Sequence, residues 1–240
     1  MKSYEKYEKI LKEEYPFRIE MHAHTSPASK CADFTPEEVI QKYKNVGYHA
    51  VTITNHFLGC YYDMTKKEYL EMFFDNFDRA VKEGEKHSIR VYLAAELRFH
   101  KENQFNDYLL YGVTKEDLIE IYDKMETSLE EFVTKHKKDY QLIIQAHPYR
   151  DNMTPMPSEF LDGYEGFNLH PDHNPRFAFA VKKANESGKI NLAGTDFHHL
   201  NHEGLAAMRF RVLPEDSVDL AKKLKERDYI IEIQNKIILP

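Results

Sequence analysis

The chain has 240 residues, 42% hydrophobic and 30% charged, a balance that supports a sizeable core, and no apolar run approaches the roughly 20 residues that span a bilayer. Its 33 basic and 40 acidic side chains leave a net charge of −7, which argues against a general nucleic-acid grip but leaves room for a local basic pocket. Two cysteines, Cys31 and Cys60, form no disulfide framework and fit a reducing, cytoplasmic setting.

Residues 1–16 are charged and lack the apolar stretch of a secretory signal; they read as a surface helix or ordered lead-in. Residues 17–23 read as a strand ending in His22-Ala23-His24. Side chains two apart share a strand face, so both imidazoles would project together, about 7 Å apart along the strand. Thr35, Pro36 and Glu38 form a helix-start signature for a helix to about 45, stopped by Gly47. A β-branched strand over 49–54 runs into Asn55 and His56. Leu70, Phe73, Phe74, Phe77, Ala80 and Val81 recur at helical spacing within 66–87, a core-facing stripe. A third strand, 89–93, ends near Glu96, and a fourth covers 108–113.

Two helical stretches follow, near 115–124 and 128–138, the second opened by a Ser128/Glu131 capping box. A fifth strand, 141–146, runs into His147 and Pro148, and a loop over 150–162 comes next. Residues 163–168 read as a sixth strand, 175–187 as a helix, and 190–194 as a seventh strand leading to Asp196 and His198. A short strand over 209–213 precedes a last helix to about 227, and residues 228–240 read as an edge or capping segment. With no repeat or linker-like stretch, the expectation is a single domain over 1–240. Strands alternating with helices imply a parallel sheet, open or closed into a barrel.

In closed barrels the chemistry gathers at the carboxyl ends of the strands. His22, His24, His56, Glu96, His147, Asp196 and His198 all fall at such ends, which marks a metal site. His49, His87 and His136 fall at a strand start or helix ends and receive no role.

With those residues in hand, the sequence resembles the PHP family, named for DNA polymerase and histidinol phosphatase. The resemblance rests on MHAHTS, TITNH, AAEL, QAHPYR and GTDFHH, in family order over about 19–200. QFNDYLLYG and GYEGFN resemble the small stand-alone bacterial members. It implies a distorted seven-stranded (β/α) barrel, TIM-like, with two or three divalent metal ions at the carboxyl ends of the strands and phosphate-ester hydrolysis as the commonest activity. Carried over, His22, His24, Glu96 and Asp196 would hold one ion. Glu96 would bridge to a second, bound also by His147, and His56 and His198 would hold a third. Asn55 stands where Asp is usual. Cys31 lies near a slot where some relatives place a further ligand; it reads either as a thiolate suited to zinc or iron or as a structural thiol. Some relatives serve the middle ion with a His from the fourth-strand end, where Tyr111, Gly112, Val113 and Thr114 supply none.

The imidazole and carboxylate ligands suit Zn, Mn or Fe. Two ions sharing a water would generate a hydroxide nucleophile and clamp the attacking and leaving oxygens in line. Glu96, Asp196, His198 and Arg150 are the candidate catalytic residues, and Arg150, Arg98, Lys30 and Arg176 the candidate phosphate contacts. His170, His199 and His202 fall on the same face, as a proton donor to the leaving oxygen or as bystanders. The leading expectation is a metal-dependent phosphoesterase acting on a small phosphorylated metabolite, with no nucleic-acid or membrane partner. The alternatives are a non-catalytic metal-binding regulatory or scaffold module, and a hydrolase of a phosphodiester or amide.

Overall fold

The structure is a computed structural model that describes residues 3–58, 63–102 and 105–238. Cys60 and the last two residues of the C-terminal segment lie outside them. Helix α1 (Ser3–Glu14) leads into β1 (Phe17–Ala23), α2 (Pro36–Asn45), β2 (Ala50–Ile53), β3 (His56–Phe57) and the long α3 (Lys66–His87). Then come β4 (Arg90–Leu93), β5 (Ala95–Leu97), β6 (Tyr108–Tyr111), α4 (Lys115–Tyr122), α5 (Leu129–Lys135) and β7 (Leu142–Gln145). The chain continues through β8 (Gly163–Asn168), α6 (Phe177–Glu186), β9 (Ile190–Gly194), β10 (Ala206–Phe210), α7 (Ser217–Glu226), β11 (Tyr229–Ile233) and β12 (Lys236–Ile238).

Local chemistry explains most boundaries. Thr35 caps α2 with Glu38 reaching back, and Thr65 and Thr114 build the same reciprocal box on α3 and α4. At α5 the box is half made: Ser128 accepts from the Glu131 amide, and the reciprocal bond is missing. The strand expected over 209–213 lies earlier, at β10, because Ala206 to Phe210 alternate against both β1 and β11. The C-terminal segment forms a β11–β12 hairpin on the sheet edge, turned by Gln234 and Asn235, both at positive φ.

Two six-stranded sheets result, in the orders β12-β11-β10-β1-β2-β4 and β3-β5-β6-β7-β8-β9. The expected parallel sheet is corrected to a mixed one. β1–β2, β2–β4, β3–β5, β7–β8 and β8–β9 are parallel, while β5–β6, β6–β7 and the β1–β10–β11–β12 run are antiparallel. Among the described residues no helix lies between β5 and β6, and β6 runs antiparallel to both β5 and β7.

The sheets abut at two seams. At one, the Ala94 and Glu96 amides donate to the Ile53 and Asn55 carbonyls at 3.0 and 3.1 Å. At the other, Ala23 bridges Phe197, with Phe197 N–H on the His22 carbonyl at 3.1 Å and His24 N–H on the Phe197 carbonyl at 3.0 Å. Ile19, Met21, Tyr92, Leu109, Ile144, Leu192 and Met208, drawn from both sheets, share one apolar cluster. A second cluster packs α3, α4 and α5 over Phe57, Leu97, Leu110 and Ile143. Leu109 and Tyr111 face the first cluster and Tyr108 and Leu110 the second, so β6 is buried on both faces. Among the described residues no helix is long and apolar enough to cross a membrane.

Candidate metal centre

Strand direction delivers the site. His22 lies near the end of β1, His24 just past it, His56 in β3 and Glu96 in β5; His147 follows β7, and Asp196 and His198 follow β9. Asp107 reaches the same place from the start of β6, because that strand runs backwards. Register irregularities in β1 between Glu20 and Ala23 and in β8 between Glu165 and Phe167 fall beside the site, where bulges re-aim side chains. His147 and Asp196 hold φ of 29° and 57°, positions that a non-glycine residue keeps only when its surroundings enforce them.

Comparable enforcement is visible for three of the imidazoles. His22 Nδ1 donates to Glu165 Oε1 at 2.9 Å, and Glu165 Oε2 also accepts from the His147 amide and from Asn168 Nδ2. Asn55 Oδ1 accepts from the Thr25 amide, so it is the carbonyl oxygen and must accept from the Ser29 hydroxyl at 3.0 Å. Ser29 Oγ is then an acceptor for His24 Nδ1 at 2.9 Å and for the His56 amide at 3.0 Å. Asn55 also donates to Thr25 and Asn76, a role that an Asp would not fill. His198 Nδ1 donates to the Asp196 carbonyl at 2.9 Å. In all three rings the proton is committed to Nδ1, which leaves Nε2 bare.

The bare nitrogens of His22 and His24 stand 3.0 Å apart. Two lone pairs at that distance repel, so the pair calls for a shared proton or a metal ion between them. Carboxylates converge on the same point. Asp196 Oδ1 is 3.3 and 3.4 Å from the two Nε2 atoms, and Glu96 reaches them at 3.5 and 3.4 Å. Glu96 also lies 2.8 Å from His56 Nδ1 and 3.3 Å from His147 Nε2. Despite these approaches, both Glu96 oxygens, His56 Nδ1 and His147 Nδ1 are buried without a properly oriented hydrogen-bond partner. Groups aimed at a shared centre instead of at one another have this geometry.

The electrostatics agree. Burial would raise the Glu96 carboxyl, but His56 and His22 hold it well below its ordinary range. Burial raises Asp196 too, and His22 and His198 outweigh it. Burial disfavours charge on His22, yet Glu165, Asp196 and Glu96 pull its pKa well above 6.5, so a proton is drawn to the place a metal would take. Burial and the His198 and His56 charges drive His24 well below its ordinary value.

Among the described residues four groups have ligand atoms close enough to share an ion, three of them His22, His24 and Asp196; Glu96, Asp107 and His147; and His24, His56 and His198. Glu96 lies beside the first group and belongs to the second, where Asp107 brings a carboxylate that could serve an ion. A further group joins His170 to Asp196 and His198. Cys31 borders the same cavity; burial raises its thiol, but hydrogen bonds with His198 and His56 bring it down to about 6.

The expected phosphate contacts separate. Arg150 lines the cavity, with Nη1 3.7 Å from Asp196 Oδ2 and Nη2 2.5 Å from His173 Nε2. Arg98 also lines it, but forks onto both Asp107 oxygens at 2.8 Å and so positions that carboxylate. Arg176 is away from the cavity lining, holding Asp151 and the Tyr149 carbonyl, and Lys30 is exposed outside that lining as well. The cavity has a volume of about 330 Å³ and is walled beyond the ligands by Met153, His170, Asp172, His173 and His199.

Sequence reading missed Asp107, Glu20 and Glu165. The last two carry a signal, a carboxylate in the interior of a strand. Glu20 is fully buried and accepts from the Met21, His22 and Thr195 amides at 3.0, 2.9 and 2.8 Å and from the Thr195 and Tyr43 hydroxyls at 2.6 and 2.8 Å. It ties the β1 end that carries His22 to the β9 end that carries Asp196.

A protein-family model described as the PHP domain matches residues 20–236. Among solved structures, a two-domain Bacteroides vulgatus protein containing a candidate PHP-like metal-dependent phosphoesterase is 14% identical, with a TM-score of 0.65 over 93% of this chain and 66% of that one. An amidohydrolase from Chromobacterium violaceum, with bound sulfate, is 13% identical, with a TM-score of 0.57 over 90% and 98% of the two chains. A candidate metal-dependent phosphoesterase from Bifidobacterium adolescentis is 15% identical, with a TM-score of 0.50 over 75% and 87%. At these identities the likeness is one of fold. No curated protein matches the sequence.

Proposed function

The chain belongs to the PHP domain family, and from that premise we propose that it is a metal-dependent hydrolase cleaving a small phosphomonoester. The observation that carries this reading is the His22–His24 pair, two bare nitrogens 3.0 Å apart beside a Glu96 whose oxygens have no hydrogen-bond partner. His22, His24, Asp196 and Glu96 would hold one divalent ion, and Glu96, Asp107 and His147 a second. His56 and His198, with Cys31 beside them, would hold a third. Zinc, manganese or iron so held supplies Lewis-acid charge and lowers the pKa of water.

The remaining work falls to the chain itself. Arg150 presents a planar fork at the cavity wall, suited to two phosphoryl oxygens at once. Arg98 holds Asp107 in place through two parallel bonds. Glu165 and Ser29 keep the ligand imidazoles in one tautomer, so the site is set before substrate arrives. A cavity of about 330 Å³ suits a phosphoryl group with a small leaving group. We also read the two sheets, abutting at both seams, as one barrel-like enclosure around their shared apolar cluster.

Assay of phosphomonoesters, phosphodiesters and amides with added manganese or zinc tests the reading. Phosphomonoester turnover is expected, falling more than about 100-fold in Glu96→Ala and His22→Ala, since loss of outer partners alone costs 10–100-fold. Stoichiometric metal without turnover of any class would favour a binding module, and amide cleavage an amidohydrolase chemistry.

A further inference from the structure

Four imidazoles of the centre show two protonation patterns. In His22, His24 and His198, Nδ1 donates, to Glu165, Ser29 and the Asp196 carbonyl, and Nε2 is bare. His170 is reversed. The backbone amide of Asp172 donates to His170 Nδ1 at 3.2 Å. An amide N–H can only donate, so that nitrogen is an acceptor and the proton of the neutral ring sits on Nε2. The loop holds this arrangement: His170 N–H donates to Asn168 Oδ1 at 3.2 Å, and the His173 amide donates to the His170 carbonyl at 3.3 Å.

His170 is buried, lines the cavity and stands close enough to Asp196 and His198 to pass, on distance alone, as a metal ligand. A protonated nitrogen has no lone pair to offer a cation. We propose that His170 is not a ligand but a substrate-binding residue, whose Nε2–H donates to a phosphoryl oxygen beside Arg150. The choice of a phosphoryl oxygen rests on the phosphomonoester reading; the protonation pattern does not. Asn168 supports the placement, since its amide donates to both Glu165 and Asp196 while its carbonyl fixes the His170 backbone. One loop therefore registers a hydrogen-bond donor against the ligands.

The test uses zinc-loaded protein and inorganic phosphate as the probe. His170→Ala is expected to keep the full zinc complement and to bind phosphate roughly tenfold more weakly, the loss of one hydrogen bond to a charged group. His170→Gln, which retains an amide donor, is expected to recover most of that affinity. In the wild-type protein the imidazole ¹⁵N shifts of His170 are expected to show a protonated Nε2. Loss of a zinc equivalent in His170→Ala, phosphate affinity unchanged by it, a protonated Nδ1, or wild-type protein that binds no phosphate would each overturn the assignment. Wild-type protein that binds phosphate but hydrolyses no phosphomonoester would sink the phosphoesterase reading and leave the role of His170 standing.

Discussion

Five donors meet on the carboxylate of Glu20, and none of them is a formal charge. Burial raises its pKa and the Thr195, His22 and Tyr43 bonds only partly offset this, leaving it at about 7 against an ordinary 4.5. The folded chain therefore keeps a proton that the unfolded chain releases. This contribution to stability is complete below pH 4.5 and is lost as pH rises through about 7, amounting to roughly 3 kcal/mol. Urea unfolding of metal-free protein should show stability falling more steeply across that window in the wild type than in Glu20→Gln; parallel pH profiles would refute it. At this scale the seven strand-end candidates stood out in the sequence because each follows an apolar run, whereas Cys31 was named only for its place near a loop slot. Glu20 and Glu165 were not assigned, because a buried carboxylate is recognisable only once its donors are known. His170 was placed on the right face without a role, since a tautomer depends on which backbone amide folds against the ring.

Strand direction decides what an element can deliver. β6 is short and apolar, and its sequence reads the same whichever way it runs. Only the antiparallel pairing with β5 and β7 puts its first end, and hence Asp107, at the site. Helix starts were more legible, since a Thr or Ser with Glu three residues on acts locally. Close approach between elements is less so. A Cβ at Gly194 in β9 would lie 2.6 Å from the Cβ of His22 and 2.8 Å from Glu165 Oε1. Gly194→Ala should thus force β1 and β9 apart at the ligand ends, costing about 1–3 kcal/mol of stability and also weakening zinc binding. Thermal unfolding with zinc titration checks this; an unchanged zinc affinity would show that the close approach does not set the position of His22.

Across the whole molecule, an alternation of strands and helices was enough to read a mixed α/β fold with its chemistry at strand ends. It was not enough to read two six-stranded sheets with five antiparallel pairings, because pairing depends on contacts far apart in the chain. What the two seams achieve is convergence. Side chains from position 22 to position 198 meet around Glu96, and their like-charged and unpaired atoms are tolerable together only with positive charge among them. Anomalous scattering from crystals of metal-replete protein tests this most directly. The account predicts a peak about 2.0–2.2 Å from Glu96 and from Nε2 of both His22 and His24; crystals with no anomalous peak within bonding distance of Glu96 would contradict it.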